Sequence, residues 1–559
     1  MINERKAGVI LSYLSMAVSV LTGIIYVPFL LRTIGQNEYG LYQLLGGFVS
    51  YAAIFDFGLS NTITRFYVRY KKLGEQEKLE NMLSLSRIIF WILNIVCLIV
   101  CIVIYFCLDK VYPKLDATQM ESGRKIFLLL IISVCTTIPT YVYTAISNAE
   151  EKYIFLRGSS LLVAVLQPII VILLVKQHPS AVSVVFIQTI LNVVLSVTKI
   201  LYVKLRLKTK FKLHHWDNLL LKEMLAFSFF VFLNTVIDQI NWQLGKTIMG
   251  IAYGDTALVA LLSIGLQLAN YFMMFSSNVN SVFYAQINKS VIEDDSMAKT
   301  NEIFVKVGRV QAIILALVLS GFIIFGQEFV DIWAGVDNHN AYYIALALMA
   351  SLFIPMTQNC GILILQAKNL HKWRSVAYAI VAAVNIIISA ILVKPYGEYG
   401  VAAGTVLSFI IGNNIIINII YKYKAKIDVN TLLKYLLKVV LIVGVLTTAV
   451  FFVNRLIIVN NYGMLFVKIM VYCILYCVLA WFLLMNKYEH NLIISLFKKI
   501  FGVLKRKKTA PDVVSGGQCE DKEYKDNAAK IVDAFELGDN ADKEDNEDEK
   551  KEQVDDGRN

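Results

Sequence analysis

Apolar runs of roughly twenty residues recur along most of the chain, separated by short polar segments. They lie near 7–31, 41–64, 85–108, 126–147, 159–175, 181–203, 223–243, 256–287, 303–325, 341–366, 374–393, 399–421, 435–454 and 463–485. A helix of about twenty residues crosses a hydrocarbon core of about 30 Å. A transmembrane barrel would instead show strictly alternating segments of about ten residues, and none is visible. The pattern predicts an all-α integral membrane protein with about fourteen transmembrane helices. Residues 7–31 form a longer run than a secretory signal carries and no small-residue cleavage site follows, so they read as an uncleaved first span.

The polar connections add orientation. Alternate ones are strongly basic: RFYVRYKK at 65–72, KLRLKTKFK at 204–212, AKNLHKWR at 367–374 and KYKAK at 422–426. The others are short or poor in Lys and Arg, except 109–125, with four basic and three acidic residues. By the positive-inside rule the basic set is cytoplasmic, which predicts that both termini are too.

Composition agrees. Of 559 residues 57% are hydrophobic and 17% charged, and the mean hydropathy is +0.61; a soluble chain carries about 25% charge. The net charge of +11 hides an acidic tail that begins at Thr509 and ends DKEDNEDEKKEQVDDGRN. The remainder is therefore more basic than the total, which suits anionic inner-leaflet lipids; no nucleic-acid-binding motif is present. Seven cysteines (97, 101, 107, 135, 360, 473 and 477) fall within or at the ends of spans and only Cys519 is in a polar segment, so they read as apolar fillers. No metal site and no cofactor is expected.

A repeat emerges on closer reading. Arg32-Thr33-Ile34 and then Tyr39-Gly40 follow the first span; Lys246-Thr247-Ile248 and then Tyr253-Gly254 follow the seventh. Ile138-Pro139 in the fourth span matches Ile354-Pro355 in the tenth at nearly the same offset. The expected organisation is a six-helix lobe over 1–210, a second over 211–430 related by a pseudo-two-fold along the membrane normal, and two further helices over 431–486. Residues 487–508 follow, where apolar residues of NLIISLFKKIFGVLKRKK share one helical face framed by lysines. That segment reads as an interfacial amphipathic helix or as a basic stop-transfer cluster. The tail, 509–559, is too acidic and apolar-poor to fold alone.

Ionisable groups inside spans are costly and mark function by default. Asp56 lies in span 2, in FDFGLSNTITR, with Arg65 near its end; Asp238 lies in span 7, in NTVIDQINWQLGK, with Lys246 near its end; Arg32 ends span 1. Span 7 carries two adjacent polar stripes, Asn234/Asp238/Asn241/Gly245 and Gln239/Gln243/Lys246. Ser12, Ser15, Ser19, Thr22 and Tyr26 share a side of span 1. These faces line a wet cavity or glue helices together. Gly400 and Gly404 form a GxxxG that reads as close helix packing.

Several chemistries lose support. Gly245-Lys246-Thr247 resembles the end of a phosphate loop, but Ile240 stands where its first glycine belongs and no strand precedes it. All six histidines are in or beside loops, which disfavours an intramembrane acyltransferase or metalloprotease.

The segments FLLRTIGQNEYGLYQLLGGF (29–48), FDFGLSNTITRFYVRYKKLG (55–74) and KPYGEYGVAAGTVLSF (394–409) carry a family resemblance. They resemble the polysaccharide biosynthesis proteins, O-antigen-type oligosaccharide flippases of the multidrug/oligosaccharidyl-lipid/polysaccharide exporter superfamily. The resemblance implies two lobes rocking about a central cavity, no enzymatic step, and an undecaprenyl-diphosphate-linked oligosaccharide as substrate. The implied partners are the lipid-linked oligosaccharide and the glycan polymerase or glycosyltransferases of a bacterial plasma membrane. Arg32, Lys246 and Arg65 become candidates for the diphosphate, and Tyr26, Asn234, Gln239 and Asn241 for the sugars. Asp56 and Asp238 would bind a coupling cation or hold the basic groups. The alternatives are a cation-coupled multidrug exporter of the same superfamily and a membrane glycan polymerase or acyltransferase.

Overall fold

The computed structural model describes residues 4–293, 297–368, 370–456, 462–491 and 494. Contacts divide the chain into Met1–Met485 and Asn486–Asn559, and the description below concerns the first unit. The acidic tail, and the expected interfacial helix apart from 487–491 and Ile494, lie outside the described residues.

The described residues contain no strand. The helices are α1 (Glu4–Tyr51), α2 (Leu59–Lys72), α3 (Gln76–Phe106), α4 (Leu108–Val111), α5 (Ala117–Thr137), α6 (Tyr141–Ala149), α7 (Tyr153–Leu174), α8 (Ala181–Leu201), α9 (Asn218–Tyr253), α10 (Thr256–Glu293), α11 (Ala298–Ala334), α12 (Ala341–Thr357), α13 (Cys360–Ala367), α14 (His371–Phe409), α15 (Ile417–Tyr423), α16 (Val429–Arg455) and α17 (Tyr462–Leu479). Ten helical segments are long and apolar enough to cross a membrane, or up to 12 if each of two bent pairs is one span. The protein is a multi-pass membrane protein.

The sequence predicts about fourteen spans, and the difference has a physical origin. Two of the ten segments, Ala17–Lys72 and Lys372–Tyr423, run to 56 and 52 residues, and each contains a reversal at a glycine. In α1, Gly35 is non-helical at φ 84° and ψ 164°. Tyr26 and Tyr42, which a straight helix would hold about 24 Å apart, are close enough to interact electrostatically. α1 is thus a hairpin. In α14 the break is Gly397, at φ 56° and ψ −131°, just after Pro395. Its two legs pack back to back: Ser389 donates to the Val401 carbonyl at 3.3 Å and Thr405 to Asn385 Oδ1 at 3.3 Å. A Cβ on Gly404 would lie 2.7 Å from the Ser389 nitrogen, so Gly400 and Gly404 act as the GxxxG spacing suggests, letting backbones touch.

Other breaks follow the prolines. Ile138–Thr140 is a 3-10 turn between α5 and α6, and α12 ends two residues after Pro355, where α13 leaves at 46°. Proline removes a backbone donor and disturbs the preceding turn, so both Ile-Pro pairs mark a bend. The other half of the repeat does not hold residue for residue. Gly254 ends α9 at φ +67°, whereas Gly40 is inside the second leg of α1, five residues beyond the Gly35 turn. The two Tyr-Gly pairs are therefore not equivalent places. Arg32 stands three residues before its turn and Lys246 eight before its own, about one and a half helical turns deeper.

A further interruption separates α1 from α2. Phe57 and Gly58 both take positive φ, and α9 crosses there: a Cβ on Gly58 would lie 2.6 Å from Val231 Cβ. Phe57 stacks on Phe232 with ring centroids 4.3 Å apart, and Thr62 and Ser228 share a hydrogen bond of 2.6 Å. Lipid offers no hydrophobic drive for helices to associate, so such close packing and interhelical bonds hold the bundle. At the end carrying the Gly35 turn, Gln36 donates to Asn338 at 3.0 Å and the Trp333 indole donates to the Ile24 carbonyl at 2.7 Å. Gln119 of α5 donates to Thr256 of α10 at 3.0 Å. α16 and α17 dock on α11 through Glu328, Asn454 and Lys468: Lys468 Nζ lies 2.7 Å from Asn454 Oδ1 and 3.4 Å from Glu328 Oε1.

Candidate functional site

The two polar stripes of α9 face different neighbours. On the first, Asn234 Oδ1 accepts from Ser375 at 3.1 Å and Asn241 Oδ1 from Asn385 at 3.5 Å. A Cβ on Gly245 would meet Val401 at 3.0 Å. All three partners are on α14. Asn234 and Asn241 thus act as interhelical polar contacts, and the buried Asn241, Asn385, Ser389 and Thr405 form one amide–hydroxyl network. Asp238, on the same stripe, is exposed.

The second stripe faces α1. Gln243 Oε1 would lie 3.3 Å from a Cβ on Gly47, and Lys246 Nζ donates to Gln43 Oε1 at 3.4 Å. Gln43 donates in turn to the Tyr39 hydroxyl at 2.9 Å. Tyr39 is fully buried, and its ring centroid is 6.2 Å from that of Tyr42. Tyr26, on the first leg of α1, interacts with Tyr42 and Tyr39 and with Gln167 of α7. From α10, Gln267 donates to the Tyr271 hydroxyl at 2.7 Å, and that hydroxyl occupies the space a Cβ on Gly23 would need. These side chains make a buried cluster of tyrosines and glutamines joining α1, α7, α9 and α10. Lys246 is its cation, and among the described residues no ion pair neutralises it.

The other sequence candidates stand elsewhere. Arg32 is exposed and donates to the Ile332 carbonyl of α11 at 3.3 Å. Arg65 is exposed on α2, twenty-two residues beyond Gln43 and past the Phe57–Gly58 break. Gln239 is half-buried. Asp56 accepts the Ser60 hydroxyl at the interruption between α1 and α2. On the span-1 stripe, Thr22 bonds back to its own helix at the Val18 carbonyl, Ser15 Oγ is buried, and the Ser12 side chain lies outside the described residues.

Sequence reasoning missed Tyr39, Tyr42, Gln43, Gln167, Gln267 and Tyr271. A usable signal existed in the 39–43 segment, where Tyr39, Tyr42 and Gln43 at i, i+3, i+4 interrupt an apolar run on one face. It also missed Arg374, in the first turn of α14. Its guanidinium lies 4.8 Å from the Tyr378 ring centroid and interacts electrostatically with Asp238.

The fold and the helix order can be set beside known proteins. A search of curated proteins returns no match. Among solved structures, a lipid II flippase MurJ in an inward closed conformation aligns with a TM-score of 0.65 at 16% identity, covering 87% of this chain and 100% of that one. An inward-facing multidrug resistance MATE family transporter of the MOP superfamily aligns at 0.60 and 14% identity, covering 73% and 95%. A MOP superfamily transporter from Pyrococcus furiosus aligns at 0.53 and 15% identity, covering 76% and 97%. At these identities the likeness speaks for the fold alone. The family model described as "Polysaccharide biosynthesis protein" matches residues 6–285, 280 of the 559, a stretch that runs from the first turn of α1 into α10 and holds Tyr39, Gln43, Lys246 and Tyr271. By that match the chain belongs to the polysaccharide biosynthesis protein family.

Proposed function

We propose that the protein is a flippase that carries an undecaprenyl-diphosphate-linked oligosaccharide across a bacterial plasma membrane by alternating access. The observation that carries this reading is Lys246, a cation that no carboxylate among the described residues pairs with, set in a cluster of tyrosines and glutamines between helices. A lone charge there is costly, and an anionic ligand would offset the cost. A diphosphate is such an anion, and tyrosine and glutamine side chains suit sugar hydroxyls and ring faces. Tyr26 and Gln239 remain sugar candidates on this reading. The exposed Arg32 and Arg65 would meet the diphosphate only near the ends of the path.

Counting each hairpin as two crossings gives fourteen, in two six-helix lobes with α16 and α17 appended and both termini cytoplasmic. Substrate supply would come from glycosyltransferases and product use from a glycan polymerase. The test is genetic and then biochemical. Deleting the gene should abolish a surface glycan, the parent gene should restore it, and a Lys246→Gln gene should not. Normal glycan with new drug sensitivity would instead establish the multidrug exporter. Chain growth or acyl transfer by the purified protein would establish an enzyme.

A further inference from the structure

The string KLRLKTKFK at 204–212 leads from α8 toward α9, and the proposed transport makes no use of it. One candidate membrane span ends at Arg206 and the next begins at Asn218, so residues 207–217 lie at a membrane face. Lys208, at φ +52°, turns the chain out of the π-helical turn that follows α8. Through this stretch exposure alternates: Leu207, Thr209 and Phe211 are half-buried, and Lys208, Lys210 and Lys212 are exposed. The Phe211 ring centroid is 5.6 Å from that of Tyr143 on α6, and the Arg87 guanidinium of α3 lies 4.9 Å from it. The backbone amides of His214 and His215 both donate to Oδ1 of the buried Asn81 on α3, at 3.1 and 3.2 Å. The segment is therefore strapped to the bundle by its inward side, and its lysines are presented outward as a fixed row.

Like charges at alternate positions repel one another, and among the described residues no ion pair neutralises Lys208, Lys210 or Lys212. Nearby acids are engaged elsewhere. Glu80 lies 3.2 Å from His214, and Asp217 accepts the Leu220 amide at the start of α9. An anionic surface would relieve the repulsion. Beside the row, Leu213 is 49% and Trp216 54% exposed, and the Trp216 indole N–H is already bonded to Asn218 at 2.8 Å. Exposed apolar side chains next to lysines suit the boundary between head groups and acyl chains. We propose that residues 207–216 are a binding face for anionic phospholipid, with head-group phosphates along Lys208, Lys210 and Lys212 and with Leu213 and Trp216 seated beside them. This contact fixes the connection between α8 and α9 to the bilayer surface and is independent of the cargo.

The test uses the full chain in nanodiscs of phosphatidylcholine, alone or with about one third phosphatidylglycerol, and reads acylation of individual lysines by peptide mass spectrometry. With phosphatidylglycerol, Lys208, Lys210 and Lys212 should react at least about fivefold more slowly, and high salt should remove most of that protection. Lys176, exposed in the turn before α8, should change by less than about twofold. Lys210→Glu, a substitution at an exposed position, should return Lys208 and Lys212 to their rates in phosphatidylcholine, with thermal unfolding as in the parent. Equal rates in the two lipids overturn the proposal, as does equal slowing at Lys176, which would reduce the effect to the general attraction of a charged surface. Parent-like protection in Lys210→Glu also overturns it. If a glutamate-rich peptide shields the row in phosphatidylcholine more than phosphatidylglycerol does, the face docks protein and the lipid proposal falls.

Discussion

Lys246 of α9 reaches Gln43 on the returning leg of α1 at 3.4 Å. The contact ties the cluster's cation to a side chain whose amide also holds Tyr39. Charge and aromatic wall are therefore positioned by one residue.

Replacing Lys246 by Gln removes the charge and keeps a polar side chain. Glycan rescue should fall at least about tenfold at unchanged protein level, the loss expected when a charged hydrogen bond to an anion is removed. Lys246→Arg should retain part of the activity, and quantifying surface glycan against protein abundance decides.

Gln36 of α1 is hydrogen-bonded to Asn338, which follows α11, and the proposed alternating access would require the two to separate. Cysteines at both positions, joined by a short bifunctional thiol reagent, should stop transport, and a cleavable reagent should allow recovery on cleavage. Undiminished transport by fully cross-linked protein would show that this end does not move.

Glu328, Asn454 and Lys468 connect α11, α16 and α17 with little exposure, the Lys468 side chain being 11% accessible and that of Glu328 26%. Lys468→Met strands the carboxylate and should cost about 3 kcal/mol. Adding Glu328→Leu should recover much of that. A double-mutant cycle on thermal unfolding measures both.

Two glycines should behave oppositely. Gly404→Val pushes a side chain into Ser389 backbone and should destabilise by about 1–3 kcal/mol. Gly444 of α16 has no atom within 4 Å of an added Cβ, so Gly444→Ala should be neutral or stabilising by about 1 kcal/mol through helix propensity. Melting temperatures of the two variants check the contrast.

Glu150, between α6 and α7, accepts hydrogen bonds from Lys71 and Tyr67. Burial works against its charge, but those bonds outweigh it and hold the carboxyl below its ordinary value. A lowered folded value gives stability that is complete above the unfolded carboxyl range and lost as pH falls through the lowered one. Unfolding should therefore ease progressively below about pH 4.5, and Lys71→Met should reduce that acid sensitivity.

The apolar runs were legible because the bilayer imposes length and polarity on each crossing, and the two stripes of span 7 were legible because helical periodicity sorts residues by face. What each stripe meets was not, since periodicity names a face and not its neighbour: Asn234 and Asn241 fasten α14, while Lys246 turns to α1. The repeat was legible only as letters. Tyr39-Gly40 matches Tyr253-Gly254, but only the backbone reveals that the positive φ falls at Gly35 in one case and Gly254 in the other. Asp56 stands out in the sequence because an acid in a span is expensive; that it lies at a helix interruption, bonded to Ser60, needed the structure.

The reversal at Gly35 has a mechanical corollary. With no slack between its legs, α1 cannot let one leg translate while the other stays fixed, so Tyr26 and Tyr42 travel as a unit. Relative motion would be taken up where the chain is already weakened, at Pro28 within the first leg and at the Phe57–Gly58 break that follows the second.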